Sequence, residues 1–225
     1  GQDRTEGIGV ALQVAVRVCA ERETPHWWWT LKRAIDLTLG SLLLFASLPV
    51  IGLAALAIVL VEGGAPFFAQ ERVGRNGRRF KMFKLRTMVD GAHDMRAHVA
   101  HLNEADGPVF KIDNDPRCHP LGRVLRRTSI DELPNFLNVV RGEMSLVGPR
   151  PALPSEVEHY DAFAYRRLTV PQGITGLWQI SGRSALSFSQ WMEVDNRYVD
   201  GWTPLGDLAI VLKTIPVVLR RDGAR

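Results

Sequence analysis

Two adjacent carboxylates, Asp131 and Glu132, stand in the run Arg126-Arg127-Thr128-Ser129-Ile130-Asp131-Glu132-Leu133-Pro134. Ser129 followed by Glu132 fits a capping box with Ser129 as the helix N-cap, which sets both acids in the first helical turn. On spacing alone the acids serve either of two ends. One is stabilisation of the helix dipole. The other is chemistry, because a helix N-terminus lowers the pKa of a nearby carboxylate and attracts phosphate. Adjacent helical residues point about 100° apart, so the two acids cannot act as a matched acid and base on one atom. They can divide labour, one attacking phosphorus as a covalent nucleophile and the other holding a divalent cation. Mg2+, held by one or two carboxylates plus substrate phosphates, would neutralise a diphosphate there.

Three arginines suit bidentate phosphate contacts. Arg126 lies just ahead of the two acids, Arg150 sits in the stiff Gly148-Pro149-Arg150-Pro151 segment, and Arg183 ends Ser181-Gly182-Arg183. Each could instead be a solvated surface residue, Arg150 least of all given its two prolines. Two other constellations are weaker. His93, Asp94, His98 and His101 read as a solvated helix face, since only His98 and His101 share a side cleanly. Asp113 and Asp115 form a D-x-D pair of the kind that holds a metal on a nucleotide sugar, but a turn before Pro116 is the simpler account.

The elements that must position these groups begin with an apolar run. Leu37 to Val61 is 25 residues without a charge, long enough for a helix to cross a hydrocarbon core. The alternative is a buried core helix, although those are usually shorter and amphipathic. Pro49 divides the run in two and should kink it, with Ser41 or Ser47 bonding the freed carbonyls. Lys32 and Arg33 precede the run, and a basic series from Arg72 to Arg86 follows it. Positive flanks favour the cytoplasmic side. A straight span satisfies one flank only, whereas a helix that bends at Pro49 and returns satisfies both, so a re-entrant element is expected. Trp27, Trp28 and Trp29 fit an aromatic belt at the interface.

Beyond the run, residues 63–79 read as a turn-rich connection, Phe80–Met88 as a short strand or a strip on a charged surface, and Gly91–Glu104 as helical. Leu121–Arg127 and Ile130–Val140 read as short helices, Asn138–Pro151 as a loop and Ser155–Leu168 as a helix. Phe188–Val199 and Leu208–Leu219 are helical by pattern. The last is too short to span and is expected along a membrane surface beside Trp202. Residues 1–30 read as a tail or linker, 31–62 as the membrane helix and 63–225 as a catalytic domain.

The chain of 225 residues is 46% hydrophobic and 23% charged, which speaks against wholesale disorder, and its net charge of +4 suits an anionic partner. Two cysteines, Cys19 and Cys118, make neither a disulfide framework nor a metal site and fit a reducing compartment. The first residue is not Met and residues 1–30 lack the layout of a signal peptide, so the chain is expected to be the C-terminal part of a longer protein.

Taken together, KRAIDLTLGSLLLFASLPV, QERVGRNGRRFKMFKLRTM, GPVFKIDNDPR, RRTSIDELPNFLNVVRGEMSLVGPRP, GITGLWQISGR and DLAIVLKTIPVVLR resemble the bacterial sugar transferases, the polyisoprenyl-phosphate hexose-1-phosphate transferases. The matching stretches run in family order from about Lys32 to Arg220. The resemblance implies an α+β, mainly helical, monotopic membrane protein. Its N-terminal helix breaks at Pro49 and enters one leaflet, and a small cytosolic catalytic domain carries surface-lying amphipathic helices. It implies that Asp131 attacks the sugar-bearing phosphate of a UDP-sugar, with glucose and galactose both open as the sugar. UMP leaves, and undecaprenyl phosphate then takes the sugar phosphate from Asp131. Glu132 would bind Mg2+, and Arg126, Arg150 and Arg183 would bind phosphate or nucleotide. The segment around Gly91–Gly107 and the ending look like the larger members, which start exopolysaccharide, capsule or O-antigen synthesis at the cytoplasmic face of the bacterial inner membrane and carry an upstream membrane domain.

Partners are then the UDP-sugar, the lipid phosphate and the membrane, with no nucleic acid. The oligomeric state stays open, a homodimer included. The sequence departs from the family where Leu48, not serine, precedes Pro49, and where Gln172 separates Pro171 from Gly173. The competing readings are a metal-dependent glycosyltransferase built on Asp113 and Asp115, which would release UDP, and a non-catalytic membrane scaffold.

Overall fold

Pro25 stands ahead of a 37-residue helix, α1 (His26–Glu62), which continues through Pro49. The structure is a computed structural model and describes residues 25–181 and 186–219. The tail reading for residues 1–24, Cys19 and Arg183 therefore lie outside the described residues. The helix begins at His26, five residues ahead of the expected start at Leu31, because its first turn has a partner. Trp29 stacks on Trp202 with ring centroids 4.1 Å apart, and Trp28 meets the same ring edge-on.

Lys32, Asp36, Gly40, Ser47, Ile51 and Ile58 form a buried stripe at three- and four-residue multiples along one side of α1. The opposite side is apolar and open, with Phe45, Leu53 and Leu60 at least 70% exposed. Gly40 is required by close packing, since a Cβ there would lie 2.9 Å from Val139 Cγ1. Ser47, rather than Ser41, bonds back to the helix, donating to the Leu44 carbonyl at 2.8 Å.

Lys32 and Arg33, the positive residues that precede the apolar run, both take partners in the folded body. Lys32 is buried, donates to the Val147 carbonyl at 2.9 Å and pairs with Asp207 at 2.5 Å. Arg33 donates to the Val139 and Val140 carbonyls at 2.7 Å each, satisfying the open end of a short helix. Asp36 accepts from Ser145 Oγ and from the Leu146 amide. At the other end of α1, Glu62 lies 3.0 Å from His119 Nδ1, and Arg86 donates to the Gly63 carbonyl. Both ends of the helix thus rest on the same folded body.

That body holds two small sheets among the described residues. Strands β1 (Phe67–Val73) and β2 (Arg79–Leu85) form an antiparallel hairpin with Phe67 opposite Leu85 and Val73 opposite Arg79. Asn76, in the left-handed region at φ 56°, makes the turn between them. Strands β3 (Ser145–Val147) and β4 (Gly173–Thr175) pair in parallel. The sequence reading missed β1, β3 and β4. β1 lacks alternation of its own and exists by pairing with β2, while β3 is buried throughout and too short to show a period.

Helices α2 (Pro120–Arg127) and α3 (Asn135–Arg141) bracket the acidic pair. Residues 91–104, expected to be helical, form only 3-10 turns at Asp94–Arg96 and Ala100–Leu102. Only Ala92 and Val99 of that stretch are buried, too little to hold regular helix. Ser155–Leu168 likewise divides into α4 (Pro154–Val157), α5 (Ala162–Tyr165) and a 3-10 turn. Asp161 caps the second piece by accepting from the Ala164 amide. After α6 (Leu177–Ile180), α7 (Phe188–Gly201) starts on a capping box from Ser187 and Gln190, and α8 (Pro204–Leu219) closes the described chain. Ile51 and Ile58 of α1 pack with Leu85 and Leu125, and Ile130 and Leu133 rest on that cluster. The turn carrying Asp131 is therefore seated directly on the apolar helix.

Candidate active site

Asp131 and Glu132 lie in a 3-10 turn, Ile130–Glu132, and α3 begins only at Asn135 after Pro134. The expected capping box is absent. Ser129 takes left-handed geometry (φ 56°, ψ 17°) and its side chain caps nothing. Thr128 closes α2 by donating to the Val124 carbonyl, so the chain must reverse at Ser129 before α3 can start.

The electrostatics also depart from a simple helix-end site. Asp131 is 6% exposed. Burial pushes its carboxyl up to about 6, against the pull of Lys84 and Arg126 and with the help of the Glu132 charge. Desolvation therefore outweighs the lowering expected from a helix N-terminus. Glu132 goes the other way. Its Oε1 lies 2.7 Å from Lys84 Nζ, and that ammonium, with Arg150 and Arg72 further off, holds it below the usual carboxylate range. Two neighbouring acids are thus driven apart in proton affinity, the arrangement found where carboxylates take different roles.

The cations come from three segments. In the hairpin register Phe68 faces Lys84, Gln70 faces Met82 and Arg72 faces Phe80, so one sheet face carries both Lys84 and Arg72. Arg72 donates to the Pro151 carbonyl at 3.0 Å and to Gln70 Oε1 at 2.7 Å, while its buried Nε has no partner among the described residues. Burial, then the like charge of Arg150, lowers its pKa to about 9. A guanidinium so disfavoured is one that an arriving anion would stabilise. Arg150 is half-buried, and its carbonyl accepts from Arg167 at 2.9 Å. Arg126 Nε donates to Thr87 Oγ1 at 2.9 Å.

The structure thus brings Asp131, Glu132, Arg126 and Arg150 into one electrostatic neighbourhood and adds Lys84 and Arg72, which the sequence reading passed over as flanking charge. A signal for Lys84 was present. Alternation sets it on the same strand face as the buried Phe80 and Met82, and a lysine on an inward face has a reason to be there.

Residues 27–221 match the model of the family described as bacterial sugar transferase. The chain belongs to that family. It is 44% identical over 202 residues to a UDP-galactose-lipid carrier transferase of Erwinia amylovora, covering 86% of this chain and 41% of that protein. It is 40% identical over 197 residues to the exopolysaccharide production protein ExoY of Rhizobium meliloti, covering 86% of this chain and 87% of that one. A UDP-glucose:undecaprenyl-phosphate glucose-1-phosphate transferase of Caulobacter vibrioides is 40% identical over 204 residues, with 86% and 71% covered. The chain therefore spans less than half the length of the Erwinia relative.

In this member of the family the D-x-D pair is already neutralised. Asp115 is buried and clasped by Arg117 through contacts of 2.9 and 2.6 Å. Burial opposes its ionisation, but those Arg117 bonds hold its pKa below the ordinary value. Asp113 pairs with Lys111 at 3.0 Å. His93, His98 and His101 are exposed, and among the described residues no three acidic, histidine or cysteine side chains gather at metal-binding distance.

Proposed function

We propose that the chain moves a hexose-1-phosphate from a UDP-sugar to undecaprenyl phosphate and releases UMP, the first membrane step of exopolysaccharide, capsule or O-antigen synthesis. The observation that carries this reading is Asp131, a buried carboxylate beside Lys84 and Arg126, with Arg150 and Arg72 acting on its neighbour Glu132, seated on a helix whose outer side is exposed and apolar. The printed names of the Erwinia and Caulobacter relatives support the substrate classes.

Asp131 Oδ would attack the phosphorus that bears the sugar. The bond from that phosphorus to the bridging oxygen breaks, and UMP leaves with the oxygen. A lipid phosphate oxygen then attacks the same phosphorus and frees the Asp131 carboxylate. No net proton or electron is needed. Lys84, Arg72 and Arg150 would hold the phosphate oxygens as charge moves between them, and Arg126, oriented by Thr87, would steady the carboxylate.

The acids fit Mg2+ in the manner usual for that ion, with few protein ligands and the remainder from substrate phosphates and water. Glu132, whose carboxylate also meets Lys84, would hold it. When bound, the ion would supply charge neutralisation on the diphosphate.

The decisive assay offers UDP-glucose or UDP-galactose with undecaprenyl phosphate and identifies the nucleotide released. UMP is expected, and UDP would mean direct glycosyl transfer and end this reading. The pH profile adds a check. The nucleophile must be ionised and Asp131 sits near 6, so kcat/KM for the UDP-sugar should fall tenfold per unit below about pH 6. A flat profile from pH 5 to 8 would remove Asp131 from the role.

A re-entrant α1, placing the catalytic body at the cytoplasmic face of the inner membrane, is supported by the contacts at both helix ends. Lys32–Asp207 and the Arg86 bond to the Gly63 carbonyl tie opposite ends of one apolar helix to one domain, which a straight span cannot do. Thr30→Cys and Ala65→Cys, each in a Cys19→Ser, Cys118→Ser background, should resist an impermeant maleimide in intact cells. Both should label in inverted vesicles. Labelling of either position from outside would establish a span instead.

A further inference from the structure

A cavity of about 220 Å³ lies between α6, the end of α7 and α8, apart from every residue of the Asp131 cluster. Leu177, Ile180, Trp202 and Ile210 wall it, and Arg197 and Lys213 stand at its edge. Both cations are exposed, and neither has an ion-pair partner among the described residues. Gly206, Ala209, Ile210 and Lys213 share one side of α8 at i, i+3, i+4 and i+7. Around the helix from them runs an exposed apolar stripe of Leu205, Leu208, Leu212 and Ile215. Trp202, which walls the cavity, is also the ring on which Trp29 stacks, and tryptophans gather at headgroup depth.

We propose that this cavity binds the headgroup phosphate of an anionic glycerophospholipid of the surrounding bilayer, distinct from the lipid substrate. The proposal rests on the membrane seating inferred above. Two exposed cations, without an ion-pair partner among the described residues and set over an apolar wall, match a phosphodiester joined to acyl chains, and the adjoining stripe of α8 gives those chains a path. A soluble phosphate would meet the same cations but leave the apolar wall without a purpose. The bound lipid would fix α8, whose Asp207 holds Lys32 at the start of α1, so occupancy would steady the helix that carries the active-site turn.

The test uses the full chain with vesicles of phosphatidylcholine alone or mixed about 3:1 with phosphatidylglycerol. The wild type should float with both and prefer the mixture. Arg197→Gln with Lys213→Gln should weaken binding to the mixture about 25-fold, near fivefold for each cation, and leave UMP release in pure phosphatidylcholine unchanged. Ala209→Trp keeps both charges but fills the cavity, and should lose the preference as fully. Flotation on neither vesicle would overturn the membrane seating and the site with it. Equal flotation on both would overturn the site alone. A preference that survives in Ala209→Trp would assign it to diffuse surface charge and overturn the cavity. Thermal protection by inorganic phosphate that the double variant loses would mark a soluble-anion site and overturn the lipid assignment.

Discussion

Asp131→Asn should abolish sugar-phosphate transfer, lowering UMP release by about 10⁴-fold or more, and should at the same time make the protein more stable at pH 8. The first effect follows from removing the group proposed to bond phosphorus, since cations alone could bind a diphosphate but not open it. The second follows from the cost of keeping that group ionised where it stands. Its pKa rises from 3.8 unfolded to about 6 folded, so the folded state binds the proton more tightly. Stability from this residue is therefore intact below about pH 4 and declines as pH climbs towards 6. Above that the deficit is constant, at most about 3 kcal/mol for a shift of this size. An amide carries no such deficit.

Thermal unfolding of wild type and variant in detergent, at pH 8 and again near pH 4, separates the two effects. The variant should unfold at the higher temperature only at pH 8. Wild-type protein incubated with labelled UDP-sugar and no lipid should carry the label as sugar phosphate on Asp131, and the variant should carry none. Retention of activity within tenfold would remove Asp131 from the chemistry. An unchanged melting temperature at pH 8 would mean the carboxylate is less desolvated than its 6% exposure indicates.

The chain shows which features a sequence can display and which it cannot. The apolar run and the Asn76-Gly77 turn of the connection after it are written in single residue types and appear where the sequence sets them. Asp131, Glu132, Arg126 and Arg150 were legible through their motif. The capping box was misread because the same Ser-x-x-Glu spacing serves a 3-10 turn when α2 ends at Thr128 and Pro134 delays α3. The partners of Lys32 and Arg33, Asp207 and the Val139 and Val140 carbonyls, are more than a hundred residues away, so no local signal announces those contacts. β3 and β4 pair across Ser145 and Gly173, and no local period announces a three-residue buried strand. Arg72 acquires its role only through the hairpin register and the nearness of Arg150.

Arg167→Met should destabilise the fold by about 3–5 kcal/mol and disturb the site from a distance. Arg167 and Asp195 are each 1% exposed and meet at 2.8 Å. The guanidinium also donates to Tyr160 Oη at 2.6 Å and to the Arg150 carbonyl at 2.9 Å, so one buried side chain ties α7 to the segment that carries Arg150. Without it Asp195 keeps a buried charge with no cation. Burial already raises Asp195 to about 6 against the pull of Arg167, and losing that pull should move it higher. For a carboxyl whose folded pKa exceeds its unfolded one, stability is lost as pH rises through the interval. The variant's deficit should therefore be large at pH 8 and should shrink towards pH 5, where Asp195 can take up a proton. Arg167→Met with Asp195→Leu should recover most of the stability, since no buried charge remains, yet KM for the UDP-sugar should stay raised because the Arg150 carbonyl still lacks its donor. A deficit that does not vary with pH would mean the loss is one of packing volume alone, and a normal KM in the double variant would mean that Arg150 is positioned without Arg167.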